Sequence, residues 1–137
     1  MAADPRLTNE AATTAVKSIS ALIDGGGGAG NIIFYTATIP ATADTALAAQ
    51  VALSTVTFSA TSFVAGADGA STAATITGST AGAVGTATWA RWYQNDGGTV
   101  LDCTVGTSGE DINFNSNIFS VGASVDVTAL TITVPKT

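Results

Sequence analysis

The sequence predicts a mainly β fold, an antiparallel β-sandwich or barrel with one N-terminal helix. Short runs of β-branched and aromatic residues recur along most of the chain, separated by glycine-rich turns. One run near the N-terminus has helical spacing instead and ends in a block of glycines. The extended segments number about seven, at the short spacing typical of a sandwich rather than of a βαβ fold.

Residues 1–30 are predicted to form a helix and a glycine hinge, and residues 31–137 a β-sandwich domain. Asp4 fits a helix N-cap, and Pro5 fits the first helical position, where an N–H has no intrahelical partner. Gly25–Gly28 ends the helix, because glycine adopts a left-handed conformation without steric cost. We expect this helix to be a lid on a sheet or an arm on a neighbour. Its apolar stripe consists of Ala12, Val16, Ile19 and Ile23.

The glycine run also has the pattern of a phosphate-binding motif. Gly25–Gly30 satisfies G-x-G-x-x-G, but a dinucleotide site needs this motif after a strand and before a helix. Here the helix comes first and the strand follows. The order of elements favours a flexible hinge over a phosphate site.

Two strands are predicted in the next part of the chain. Asn31–Thr36 carries large apolar groups on both faces, which places it near the centre of the sheet or under the helix. After Pro40, the stretch Ala41–Gln50 is a short helix or a loop. In Val51–Phe58 the apolar residues change parity, and a bulge near Ser54-Thr55 would return them to one inward face.

Two small-residue segments are predicted as loops and as contact surfaces. Val64–Thr72 and Gly78–Gly85 are rich in glycine, alanine and serine, and they flank a short strand at Thr75–Thr77. Loops of this length with little apolar content of their own are suited to contacts with another molecule.

The C-terminal half begins with a predicted hairpin. The strand Thr86–Gln94 is followed by Asn95-Asp96-Gly97-Gly98, a strong turn signal, and by a cleanly alternating return strand. The buried position of Cys103 favours a small hydrophobic role over a reactive thiol, since no histidine can activate it and Asp102 would raise its pKa. Inward positions are Leu101, Cys103 and Val105; outward positions are Val100, Asp102 and Thr104.

The acidic residues after this hairpin resemble a metal or catalytic site only in part. Asp111–Asn115 starts like a calcium loop but lacks its glycine and its distal glutamate, so a half-buried strand is favoured over a cation site. Glu110 and Asp111 are adjacent, and in extended chain they point to opposite sides, which makes a poor acid and nucleophile pair. We therefore predict no catalytic, cofactor-binding or metal-binding residues.

The last predicted strand, Ser124–Val134, changes parity in its middle. Val125 and Val127 share one face, whereas Leu130 and the apolar residues after it share the other. A bulge near Ala129, or a crossing from one sheet to another, would keep all of them inward.

Charge and chemistry exclude several functions. The formal net charge is −6, and the four basic residues are scattered, so no cationic patch for nucleic acid can form. The chain has no histidine and one cysteine, which removes the usual nucleophile, zinc and disulfide arrangements. Because these arrangements are missing, we expect that the chain is not an enzyme. It also has no apolar run of membrane-spanning length and no leader-like N-terminus, so we expect a soluble, unprocessed protein.

Three stretches resemble a family of small tailed-phage virion proteins encoded near capsid genes. They are NIIFYTATIPATAD after the glycines, GTATWARWYQNDGGTVLDCTVGTSGEDINFNS, and the terminal TITVP. The resemblance implies a bacteriophage capsid decoration (cement) protein, a homo-oligomer with a trimer favoured. It would be made in the host cytoplasm and bind the major capsid protein on the virion surface.

On this resemblance the docking elements would be the N-terminal helix with its hinge and the loops Gly66–Thr72 and Gly78–Gly85. The alternative is another virion module, such as a head fibre base, a tail part or an adhesin domain. An enzyme or an unrelated binding domain is the third interpretation. Binding to purified capsids distinguishes the first from the second, which predicts recognition of a cell-surface sugar or protein.

Overall fold

The computed structural model describes residues 6–64 and 66–136, and it confirms the predicted fold class: mainly β, with one N-terminal helix. The described part has eleven strands rather than about seven, because several predicted strands are divided into short pieces. The elements are α1 (Asn9–Asp24), β1 (Asn31–Tyr35), β2 (Ala52–Thr57), β3 (Ala70–Thr72), β4 (Ser79–Thr80), β5 (Gly85–Thr86), β6 (Trp89–Tyr93), β7 (Thr99–Gly106), β8 (Ile112–Asn113), β9 (Ile118–Phe119), β10 (Ser124–Val125) and β11 (Thr131–Thr133).

A five-stranded sheet forms the centre of the fold, in the order β2-β1-β6-β7-β8. Its pairs are antiparallel except β7 and β8, which run parallel. Three two-stranded pairs complete the β structure: β4 with β10, β3 with β11, and β5 with β9. The strand that begins at Asn31 is therefore interior, flanked by β2 and β6, as predicted.

Aromatic side chains fill the core on the inner face of this sheet. Phe34 of β1 meets Phe114 and Phe119 edge-on, with ring centroids 5.3 and 6.1 Å apart. Trp92 of β6 packs against Phe58 at 5.5 Å and stacks on Phe63 at 6.0 Å. These contacts connect the sheet to the segments that carry the short strand pairs, so a single core holds both.

The helix starts later than predicted and packs on its own fold. Thr8 is the N-cap, and its Oγ1 accepts a hydrogen bond from Ala11 N at 3.1 Å. The predicted cap residues Asp4 and Pro5 lie outside the described residues. The predicted helical conformation of residues 6–8 is wrong, because none of the three is helical. The helix packs against β3 and β7, which corresponds to the predicted lid. Its fully buried side chains are Ala12, Val16 and Ile23.

The glycine run after the helix packs closely against the β6–β7 hairpin. A Cβ on Gly26 would lie 2.7 Å from Asn95 N, and one on Gly30 would lie 2.5 Å from Tyr93 O. Real Cβ atoms do not approach other atoms so closely, and thus only glycine fits. The residues predicted to form a hinge therefore lie in close contact with the main chain of the β6–β7 hairpin.

A bulge causes the parity change in β2, as predicted, but it lies one residue before the predicted Ser54-Thr55. Phe34 pairs with Ser54 and Tyr35 pairs with Ala52, which leaves Leu53 as the extra residue. Leu53 and Val56 are both buried as a result.

Several predicted loops and strands differ from the observed elements. Val64–Thr72 is not a plain loop, because it contains β3, and Gly78–Gly85 contains β4 and the first residue of β5. The predicted strand Thr75–Thr77 is reduced to a single bridge between Thr57 and Thr77. The stretch Ala41–Gln50, predicted to be a short helix or a loop, is a loop. These short strands pair with distant segments, which local composition does not indicate.

The predicted strand Thr86–Gln94 divides into the end of β5 and the whole of β6, which pair with different partners. The turn after it is confirmed: Gln94 N donates to Gly98 O at 2.7 Å, and Gly97 has φ 91°. A positive φ of this size explains the glycine in the turn.

The final predicted strand, Ser124–Val134, makes the predicted crossing between sheets. Its first part is β10, which pairs with β4, and its last part is β11, which pairs with β3. Val125, Val127 and Leu130 are all buried despite their change of parity. Residues 126–130, which belong to no strand, take the place of a bulge.

Candidate functional site

Cys103 lies in the core as predicted. Burial, as the largest cause, raises the pKa of its thiol to about 12. A thiol with so high a pKa stays protonated near neutrality and is a poor nucleophile. Among the described residues, the buried indole N–H of Trp92 has no hydrogen-bond partner.

The acidic stretch after β7 forms turn and strand structure. Asp111 Oδ2 accepts from Thr104 N at 2.9 Å and from Thr104 Oγ1 at 3.1 Å. The side chain of Asn113 bonds the backbone N and O of Glu110 at 3.1 and 2.8 Å. Among residues 6–64 and 66–136, no three histidine, cysteine, aspartate or glutamate side chains are grouped to hold a metal ion.

The outer face of the sheet carries a buried ion pair that was not predicted from the sequence. Arg91 of β6 and Asp102 of β7 face each other, with side chains 4% and 7% exposed. The prediction that Asp102 points away from the core is right, but its side chain does not reach solvent. Arg91 Nη1 also donates to the carbonyl of Thr45 at 2.9 Å, so the loop before β2 covers the pair.

Aromatic residues extend this polar layer. Tyr35 stacks on Trp89 with ring centroids 4.7 Å apart, and its hydroxyl lies 2.8 Å from that of Tyr93. Burial, followed by this hydrogen bond, raises the pKa of Tyr35 above its ordinary value. Trp89 Nε1 donates to Thr36 O at 3.0 Å. The polar groups satisfy one another, which is the pattern of a structural network rather than of a reactive site.

One end of the molecule exposes apolar side chains. We call it the docking end and define it as residues 78–88 and 115–125, which contain β4, β5, β9 and β10. In the β5–β9 pair Phe119 is buried opposite Gly85, which turns Ile118 outward. Val84, Ile118 and Val121 are 71%, 67% and 71% exposed.

The docking end carries no charge. Residues 69–90 and 112–125 contain no Asp, Glu, Lys or Arg, although the whole chain has fourteen such residues, ten acidic and four basic. Ala81 joins the two segments, because its N donates to Ala123 O and its O accepts from Gly122 N, both at 2.8 Å. Exposed apolar residues without nearby charge are typical of a protein contact surface.

Part of this surface was predicted from the sequence. The predicted contact loop Gly78–Gly85 supplies Val84, but Ile118 and Val121 were not singled out. An available signal was the pair Ile118-Phe119, because adjacent residues of a strand point to opposite faces and one of two large apolar groups must face outward. Of the other predicted docking elements, the helix exposes Leu22 at 52%.

Comparisons of this chain with protein-family models, with curated proteins and with solved structures gave no match. Within the described ranges, no helix has the length and apolar character needed to cross a membrane. Inferences about function therefore depend on the surfaces of the molecule itself.

Proposed function

We propose that this chain is a capsid decoration protein, which binds the outer surface of the major capsid protein shell of a tailed phage and stabilises it. The observation that carries the proposal is the uncharged docking end with its exposed Val84, Ile118 and Val121. The class of partner comes from the resemblance to small virion proteins. The proposal assigns no catalytic role to the chain.

The energetics fit a protein that acts in many copies. Burying one valine or isoleucine side chain contributes about 1.5–3 kcal/mol, so three residues form a modest contact per copy. A capsid lattice repeats that contact many times, and every copy bound to the assembled shell raises its stability by linkage. No acidic residue belongs to the docking end, and the carboxylate beside it is that of Asp126, which lies against Gly78.

The test is a titration of purified cognate capsids with the protein, read as copies bound per capsid. We expect saturation at a number that matches the lattice, and a trimer would saturate in multiples of three. The double variant Val84→Asp and Ile118→Asp should bind at least about tenfold more weakly, since two charges must then be desolvated.

A matched control is Leu47→Asp, which makes an equivalent change at a residue 41% exposed in the loop between β1 and β2, outside every predicted docking element. This variant should bind as the unchanged protein does. Failure of the unchanged protein to bind its capsid would refute the decoration proposal. Loss of binding in the control but not in the double variant would refute the assignment of the docking end.

A further inference from the structure

Among residues 6–64 and 66–136, no strand pairs with the outer edge of β7 over the first part of that strand. Val105 N donates to Thr88 O at 3.0 Å on the β6 side, whereas Thr104 N donates to Asp111 on the opposite side. Because main-chain groups alternate along a strand, Asp102 N–H and C=O point away from β6. Asp102 is half-buried although its side chain is only 7% exposed, so its accessible part is main chain.

The outer edge of β11 is unpaired in the same way. Leu130 O accepts from Ala73 N, and Val134 N donates to Gly69 O, both at 2.8 Å on the β3 side. By the same alternation, the main-chain groups of Thr131 and Thr133 point away from β3. Both residues are exposed.

These two edges face a common cavity of about 250 Å³, which is lined by Leu101–Cys103 on one side and Leu130–Thr133 on the other. Trp92 lines it as well. A second cavity of about 280 Å³ shares Asp111, Ile112 and Leu130 with the first. The two cavities are therefore adjacent, and we call the pair of them the seam groove; its further lining residues are Asn113, Phe114 and Asp126–Ala129.

The seam groove is acidic. Asp111 and Asp126 both line it, and its lining includes no Lys or Arg. Asp102 also lines it, but Arg91 already neutralises that carboxylate. A partner that brings positive charge therefore gains from the groove, whereas a second copy of this chain, with its net charge of −6, is disfavoured.

We propose that the seam groove binds an extended, basic segment of a partner protein by strand addition. The segment pairs its main chain with Asp102 on one side and with Thr131 and Thr133 on the other. One apolar side chain packs towards Trp92, and a lysine or arginine lies near Asp111. Main-chain pairing supplies affinity and the pockets supply specificity, as in other edge-strand complexes. The proposal holds whether or not the docking end binds a capsid.

The test uses a synthetic heptapeptide of alternating valine and threonine with a lysine at each end. Main-chain pairing depends little on sequence, which makes a generic peptide a fair probe. Amide hydrogen exchange by NMR should show that millimolar peptide slows exchange of Asp102, Thr131 and Thr133. The same peptide with glutamates in place of the lysines should bind about tenfold more weakly at low salt, because the groove is acidic.

Two controls separate strand addition from other binding. Thr131→Pro removes an N–H that faces the groove and leaves the β3 hydrogen bonds intact, so affinity should fall about fivefold to tenfold. Thr131→Val keeps that N–H and should bind normally. A peptide methylated on alternate main-chain nitrogens should not bind, and this readout does not require a variant to fold.

The proposal is overturned by unchanged exchange at the three amides with millimolar peptide, or by equal binding of the methylated peptide. It is also overturned if these amides become protected when the protein is concentrated without peptide, because a second copy then fills the groove. Protection by the basic peptide that is reduced in Thr131→Pro and kept in Thr131→Val supports it.

Discussion

Arg91 and Asp102 lie directly opposite each other on β6 and β7 and are joined by two hydrogen bonds, Nε to Oδ1 at 2.6 Å and Nη2 to Oδ2 at 2.9 Å. The guanidinium also lies 5.4 Å from the ring centroid of Trp89. Through Thr45 O, the same group holds the loop between β1 and β2 over the sheet. This ion pair therefore fixes the register of β6 against β7 and also holds the loop that covers this face of the sheet.

Breaking this pair should destabilise the fold strongly. Asp102→Ala leaves Arg91 buried without its carboxylate, and we expect the free energy of unfolding to fall by about 3–5 kcal/mol. Urea denaturation at neutral pH measures the loss. The control Asp44→Ala removes a carboxylate from an exposed loop position and should change stability by less than about 0.5 kcal/mol. Equal losses in the two variants would show that Arg91 does not need its partner.

The glycine at position 30 should not accept a side chain. Gly30→Ala places a Cβ 2.5 Å from Tyr93 O and 2.7 Å from the Ile23 side chain, so the helix end or the hairpin must shift. We expect a loss of about 1–3 kcal/mol in thermal or urea unfolding. Gly82→Ala is the matched control, because its Cβ would meet nothing within 4 Å. An unaffected Gly30→Ala variant would indicate that helix and hairpin are not held together there.

Thr8 should contribute to stability as the helix cap. Thr8→Ala removes the acceptor of the Ala11 N hydrogen bond, and we expect the free energy of unfolding to fall by about 1 kcal/mol. Thr8→Ser keeps a hydroxyl at the same place and should retain most of that stability. If both variants lose the same amount, the hydroxyl is not the source of the effect.

Stability should fall at alkaline pH in a way that depends on Cys103. Burial raises the pKa of the folded thiol from an ordinary 9.0 to about 12, whereas the unfolded thiol ionises normally. The stabilisation is therefore complete below pH 9.0 and is lost as pH rises from there towards 12. The free energy of unfolding should drop by up to about 1.4 kcal/mol per pH unit in this window.

The matching measurement compares urea unfolding of the unchanged protein and Cys103→Ala between about pH 8 and about pH 10.5. The variant lacks the thiol but keeps Tyr35 and the other titrating groups, so the difference in stability between the two proteins isolates Cys103. That difference should change with pH. Parallel curves would contradict a protonated thiol in the fold.

Sequence patterns predicted those features that depend on neighbouring residues. The apolar stripe ending at Ile23 predicted the helix. The parity changes predicted a bulge near Ser54-Thr55, which forms at Leu53, and either a bulge or a sheet crossing near Ala129, of which the crossing forms. The helix start was predicted too early because Asp4-Pro5 is a strong local signal, whereas the cap that forms is Thr8.

Features that depend on distant partners were not predictable in this way. β3 is recognisable only through its pairing with β11, and the exposure of Val121 depends on how two separated segments meet. The Arg91–Asp102 pair is an intermediate case. The Asn95–Gly98 turn predicts the hairpin, but Tyr93 pairs with Thr99, and a bulge between Trp92 and Tyr93 is needed to bring Arg91 opposite Asp102. The turn alone therefore does not fix this pairing.

The crossing of the final tract has a consequence for the order of folding. β4 pairs with β10, and β3 pairs with β11, in which Thr72 and Thr131 are 59 positions apart. During synthesis, β3 and β4 have no strand partners until β10 and β11 have left the ribosome. Contacts of such long sequence separation slow folding, and unpaired strand edges favour aggregation meanwhile. The nascent chain is therefore most vulnerable to aggregation while β10 and β11 have not yet been made.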